Sequence, residues 1–248
     1  MEQTIKLQVQ RYLPEKHPEP FFQEFEVPLR KKWVILDALN YIKDHIDGTL
    51  SYRWSCRMGV CGSCGMVING RPALTCATFL EEYAGDDPVR VEPLSYFGII
   101  RDLIVNTDGF MDKLKSVKPW LITDQVKPPG EGEYKQTPEE RAGYEQYSMC
   151  INCMLCYSAC PVVGLEPEFV GPAAIALAQR YNYDNRDAGR KLRNEELMGE
   201  GGIYSCTLVG ECSVVCPKGV DPAGSIQRYK AEGAVEWWKS VIMPFGGD

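Results

Sequence analysis

Four cysteines fall within CINCMLCYSACP, at Cys150, Cys153, Cys156 and Cys160, with Pro161 behind the last. Three more fall within CTLVGECSVVCP, at Cys206, Cys212 and Cys216, again closed by a proline, Pro217. A third group, CRMGVCGSCGMVINGRPALTC, carries Cys56, Cys61, Cys64 and Cys76. Eleven is an odd count, which a closed set of disulfides would not give. The N-terminal stretch MEQTIKLQVQRY lacks the apolar run of a signal peptide, so a reducing compartment is expected, where structural disulfides are rare. Thiols clustered at two-residue gaps in such a compartment read as metal ligands.

Each group has its own spacing. Cys56, Cys61 and Cys64, with Cys76 beyond a hairpin, follow C-x4-C-x2-C…C, the spacing of a plant-type 2Fe–2S site. Gly59, Gly62 and Gly65 suit a loop that must bring its backbone close to inorganic sulfide and adopt positive φ in places. The alternatives for this group are buried free thiols or a zinc site, although zinc usually draws on two paired knuckles. The run C-x2-C-x2-C-x3-C-P is of the bacterial ferredoxin type, whose fourth cysteine ligates the other cluster of a pair. Cys150, Cys153 and Cys156 then share a 4Fe–4S cluster with Cys216, and Cys160 leaves for a second cluster with Cys206 and Cys212. Val209 stands where the second run would carry its remaining cysteine. Three thiolates suit a 3Fe–4S cluster with one corner empty. A water, hydroxide or non-cysteine side chain at that corner would make it a 4Fe cluster instead. Four, four and three ligands use every cysteine.

Two kinds of framework must position these groups. Ile5, Leu7 and Val9 alternate with polar residues, as in a half-buried strand, and Phe25 with Val27 marks a second. Ile35, Leu39, Ile42 and Ile46 follow a helical period that Asp47-Gly48 stops. Met66-Val67-Ile68 followed by Asn69-Gly70 predicts a hairpin, and Val89 and Val91 form a strand ended by Pro93. From 118 to 138 the chain is rich in Pro, Gly and charge and reads as a linker. Thr137-Pro138-Glu139-Glu140 then caps a helix, Gly171-Pro172 opens another, and Asp221-Pro222 opens a third. The expected organisation is α+β: a mixed-sheet domain over 1–105, a linker over 106–137, and an all-α domain over 138–248.

The stretches RWSCRMGVCGSCGM, CINCMLCYSACP, GPAAIALAQRY and CTLVGECSVVCPKGVDP closely resemble the iron–sulfur subunit of fumarate reductase and succinate dehydrogenase, nearly end to end. The resemblance implies a β-grasp ferredoxin domain followed by a helical ferredoxin domain, with the cluster partition given above. It implies a flavoprotein partner carrying FAD and the dicarboxylate site. It also implies membrane anchor subunits where menaquinone or ubiquinone binds, and a peripheral place on the cytoplasmic face of a bacterial membrane. Thr207, Gln227 and Lys230 match positions that contact quinone in the fumarate reductase type; for Lys230 the alternative is a solvated helix lysine. Succinate dehydrogenases of the family often carry tryptophans after the first Cys-Pro. Here the text is CPVVGLEP, which looks like the fumarate reductase form.

Other features narrow the function. The net charge of −7 without a basic stripe gives nucleic-acid binding no support. No G-x-G-x-x-G fingerprint occurs, so no dinucleotide of its own is expected. His17 and His45 lie far from the cysteine groups, which argues against a Rieske-type site; His45 reads as a surface or capping residue. No apolar run reaches the ~18 residues of a membrane span. Trp237, Trp238, Ile242 and Phe245 read as core more readily than as an anchor contact. The second function class is a free multi-cluster electron carrier.

Overall fold

A computed structural model describes residues 3–85, 88–123, 126–128 and 130–242, with side chains except at 236, 237 and 239–242. Two units emerge. The first is Met1–Gly109 together with Ile151–Ala159; the second is Phe110–Cys150 together with Cys160–Asp248.

The first unit runs through β1 (Thr4–Arg11), β2 (Phe21–Pro28), α1 (Ile35–His45), β3 (Gly65–Ile68), β4 (Arg71–Leu74), β5 (Val89–Glu92), β6 (Ile99–Arg101) and β7 (Ile104–Val105). Five strands form one sheet in the order β2-β1-β5-β3-β4, with β1 and β5 parallel and the other pairs antiparallel. The alternation of Ile5, Leu7 and Val9 puts all three inside. Asn69 and Gly70 both have positive φ (45° and 79°), as a two-residue type I′ turn between β3 and β4 demands. α1 buries Ile35, Leu36, Ala38, Leu39 and Ile42, most of them in the core shared with β1, β3 and β5. Ile46, expected on that face, is half exposed because the helix has already ended at His45. His45 is exposed, and its ring stacks on Tyr41 at 4.6 Å.

An ion pair of high sequence separation ties this unit together. Arg11 is 1% exposed and Asp102 not at all; Arg11 Nε donates to Asp102 Oδ1 at 3.0 Å. Arg11 also donates to Asp47 at 2.7 Å, Gln23 at 2.6 Å and Thr49 at 2.9 Å. Asp102 in turn accepts the backbone N–H groups of Tyr12 and Ser51. The lone pairs and protons of the buried charges are therefore met, which such a pair requires. The Thr49 hydroxyl first, and Arg11 with it, draw the Asp47 carboxyl down to about 2.

The second unit contains α2 (Asp108–Ser116) from Phe110 onward, α3 (Pro138–Ser148), α5 (Pro161–Leu165), α6 (Pro172–Asn182), α7 (Arg190–Leu197), α8 (Glu211–Val214) and α9 (Pro222–Ile242); α4 (Leu155–Ser158) is counted with the first. The capping box at Thr137 and Glu140 forms as the sequence predicts, and α6 and α9 open at Pro172 and Pro222. α6 packs against α3, α7 and α9. The span expected as linker holds α2, whose Phe110 and Leu114 are buried. The stretch after α2 is itself pinned. Arg193, fully buried beside Asp187, donates to the carbonyls of Lys118 (3.1 Å) and Trp120 (2.8 Å), while Asp187 accepts the N–H of Ile122. Trp238 is 57% exposed, contrary to its expected place in the core; Phe245 and the side chains of Trp237 and Ile242 lie outside the described residues. Among the described residues no helix is long and apolar enough to cross a membrane.

Arg11→Met leaves Asp102 as a buried, uncompensated charge, so it should cost the first unit about 3–5 kcal/mol. The measurement is the denaturation midpoint of the purified protein against wild type. The Asp47 contribution is present above the unfolded carboxylate value near 4 and fades as pH falls toward about 2, because the folded value is depressed.

Candidate iron–sulfur centres

The loop between Tyr52 and β3 is built around sulfur. Cys56 Sγ accepts the backbone N–H groups of Cys61 (3.3 Å), Val60 (3.4 Å) and Met58 (3.5 Å), and Cys61 Sγ accepts that of Cys56 at 3.5 Å. Gly59 donates to Cys76 Sγ at 3.3 Å. Arg57, Gly59 and Gly62 take positive φ to turn those donors inward. The N–H of Met58, followed by those of Cys61 and Val60, pulls the Cys56 thiol down to about 6. Burial, reinforced by the neighbouring Cys64, pushes Cys76 up to about 11. Cys76 lies close enough to Cys64 and Cys56 for their charges to act on it. The loop's N–H donors are of the kind that stabilise a negatively charged sulfur.

The second cysteine run is divided between the units. Cys153 and Cys156 lie on Ile151–Ala159 and belong to the first. That segment sets Leu155 and Tyr157 inside, and the Ser158 hydroxyl, itself buried, accepts the N–H of Ser95 at 2.8 Å. In the second unit, Cys150 and Cys216 pack on one apolar cluster of Tyr147, Ala176 and Val220.

Cys160, Cys206 and Cys212 all belong to the second unit and lie close enough to affect one another electrostatically. Burial raises the Cys160 thiol, against the N–H groups of Val163 and Val162, and pushes Cys212 up to about 11, with the charges of Cys160 and Cys206 adding to the effect. Leu208 and Gly210 take positive φ (68° and 84°) around Val209, which is 54% exposed. Lys230, expected as a quinone contact or a solvated helix lysine, is half-buried and donates to the carbonyl of Cys206 at 2.8 Å. Thr207 is exposed, and Gln227 Nε2 is buried without a hydrogen-bond partner. The sequence reading missed the tie from Lys230 to Cys206 and the docking of Ser158; neither has a local signature, since each joins residues 24 or more positions apart.

Two family models match the chain. That of a 2Fe-2S iron-sulfur cluster binding domain covers residues 6–112, and that of a 4Fe-4S dicluster domain covers residues 146–220. Together with the α+β architecture they define an electron-transfer protein with a 2Fe–2S domain followed by a helical dicluster domain. A fumarate reductase iron-sulfur subunit of Mycobacterium tuberculosis is 59% identical over the full length of both chains. One of Haemophilus influenzae is 48% identical, over 98% of each chain. A chain of the Mycobacterium smegmatis Sdh1 complex in the apo form superposes with a TM-score of 0.83 at 27% identity, covering 96% of this chain and 98% of that one. The chain belongs to the family of iron–sulfur subunits of fumarate reductase and succinate dehydrogenase. It is an electron-transfer subunit of that kind of complex, not a free carrier.

Ser158→Ala should leave the part-buried Ser95 N–H without its acceptor, at about 0.5–1.5 kcal/mol. Amide exchange through 151–159 should accelerate, as read by hydrogen–deuterium exchange; unchanged protection would show that Ser158 does not fasten this segment.

Proposed function

We propose that this chain passes electrons between a flavoprotein carrying FAD and a quinone, menaquinone or ubiquinone, bound where an anchor subunit meets it at the cytoplasmic face of a bacterial membrane. Fumarate reduction is the favoured direction, because CPVVGLEP has the form of the fumarate reductases. The observation that carries the reading is that three groups of four, four and three thiols use all eleven cysteines.

Cys56, Cys61, Cys64 and Cys76 hold the 2Fe–2S group; the C-x4-C-x2-C spacing and the N–H donors of residues 58–61 support this. Cys150, Cys153, Cys156 and Cys216 hold the 4Fe–4S group, on the ferredoxin spacing and its swapped fourth ligand. Cys160, Cys206 and Cys212 hold a 3Fe–4S group, supported by their mutual electrostatic influence and by valine at position 209. When bound, each group takes up and releases one electron without a proton. The protein's part is to aim N–H groups at the sulfurs and to bury some of them, Cys64, Cys76, Cys153 and Cys212.

Beside the third group the second unit exposes Tyr204, Leu208, Val209 and Val214, with Leu165 further along the chain. A run of exposed apolar side chains of this kind suits a protein partner, here the anchor. Gln227, with its unpartnered buried amide, and Thr207 are available to a quinone oxygen; Lys230 steadies the Cys206 carbonyl and brings a cation to the same place.

The anaerobically purified complex should contain about nine irons per copy of this chain, two, four and three. A reproducible value of four or fewer in intact protein would overturn the assignment. Val209→Cys should supply a fourth thiolate and convert the 3Fe group to 4Fe. The added negative charge should lower its potential. The paramagnetic signal of the oxidised 3Fe form should vanish and a low-potential signal should appear on reduction. Full cluster loading with an unchanged 3Fe signal would mean that position 209 does not face the open corner.

A further inference from the structure

Two glycines of the first cysteine loop meet the segment that carries Cys153, within the first unit. Gly62 lies between Cys61 and Cys64 with φ +75°. A Cβ there would come within 2.9 Å of the Ile151 carbonyl oxygen and 3.0 Å of both Cα and Cβ of Cys153. Two of those three atoms are backbone, so no side-chain rotation relieves the contact. Gly65, in ordinary backbone conformation, would bring a Cβ to 3.1 Å from the Cys153 carbonyl oxygen and 3.1 Å from Leu155 Cδ2. Gly59 differs: its φ is also positive, at +67°, but its Cβ would meet only the Ala77 Cβ, at an ordinary 3.8 Å. Positive φ alone explains Gly59. It does not explain why Gly62 and Gly65 are bare on the side that faces Cys153.

We propose that Gly62, with Gly65 beside it, is a positioning residue for electron transfer. The missing side chains let the loop of Cys61 and Cys64 lie in backbone contact with Cys153, and this contact sets the gap between the two groups those cysteines hold. The proposal rests on the ligand assignment above. The step is the movement of one electron from one group to the next, with no bond made or broken and no proton moved. Its rate falls exponentially with the gap between the groups. A methyl group wedged between backbone atoms therefore slows the step even where every ligand stays in place. Close packing makes the wedge effective, since neighbouring backbone cannot yield without carrying Cys153 with it.

The test uses the purified, cluster-loaded complex and three variants. Gly62→Ala and Gly65→Ala insert the wedge; Gly70→Ala, in the β3–β4 turn at φ +79° with open space around its Cβ, imposes positive-φ strain without it. Electron paramagnetic resonance of the fully reduced protein reads the magnetic coupling between the first two groups, and rapid-freeze reduction reads the transfer between them. The expected result is weakened coupling and slower transfer in Gly62→Ala and Gly65→Ala, with the signals and potentials of all groups retained and Gly70→Ala matching wild type in both readouts. Unchanged coupling and transfer in the two wedge variants, with clusters intact, would overturn the proposal. If Gly62→Ala does not load its clusters, Gly65→Ala, which carries no φ strain, decides by the same criterion. A wild-type complex that lacks either the 2Fe or the 4Fe signal would instead sink the ligand assignment itself, before any variant is compared.

Discussion

Sulfur that must hold negative charge next to metal needs hydrogen-bond donors, and in the first unit those donors are backbone N–H groups. Residues 58–61 point them inward at Cys56 and Cys76. A loop that spends its N–H groups on sulfur has none left for a strand ladder or a helix. It has to be shaped by its surroundings and by residues that tolerate positive φ. The sheet and α1 supply the surroundings, and the buried Arg11–Asp102 pair fastens the segment that leads into the loop, through the N–H of Ser51. The five strands, their register and the long-range ion pair therefore serve one irregular stretch of chain.

The second unit meets the same need differently. One short helix begins directly after a cysteine: α5 follows Cys160, and the N–H groups of Val162 and Val163 reach back to its sulfur. Before α8, residues in the left-handed region, Leu208 and Gly210 among them, reverse the chain. Longer helices give the short ones a platform. α6 and α9 lie against each other, and Tyr229, Asn182 and Gln179 link them by hydrogen bonds. The acidic side chains that stabilise the turn after α6 are themselves held in charged form: Asp184 sits at about 2 because Arg186 and Arg180 outweigh the burial that would raise it.

Much of this was legible from residue order alone, for a physical reason. Alternation in β1, the Asn69-Gly70 turn, the Thr137 capping box and the prolines at helix starts are local signals, set by neighbours a few residues apart. Cysteine spacing is equally local, so the three cysteine clusters stand out in the sequence. The features that escaped join distant positions. Nothing near Arg11 announces Asp102, and nothing in CINCMLCYSACP announces that its middle packs with the first unit. The helix Asp108–Ser116 lies within the span expected as linker, because only Phe110 and Leu114 carry its buried face, too few to establish a period. Ile46 matched a helical period but fell one residue past the helix end.

The placement of Ile151–Ala159 in the first unit bears on the order of events at the ribosome. All four cysteines of the first loop precede Gly109, so they leave the exit tunnel with their sheet. The strip that packs against Gly62 and Gly65 is completed only some 50 residues later. At ordinary elongation speeds that is a delay of roughly 3–10 s. For that interval the Gly62 and Gly65 side of the loop is uncovered, and docking of the later segment then covers that side while Cys61 stays exposed.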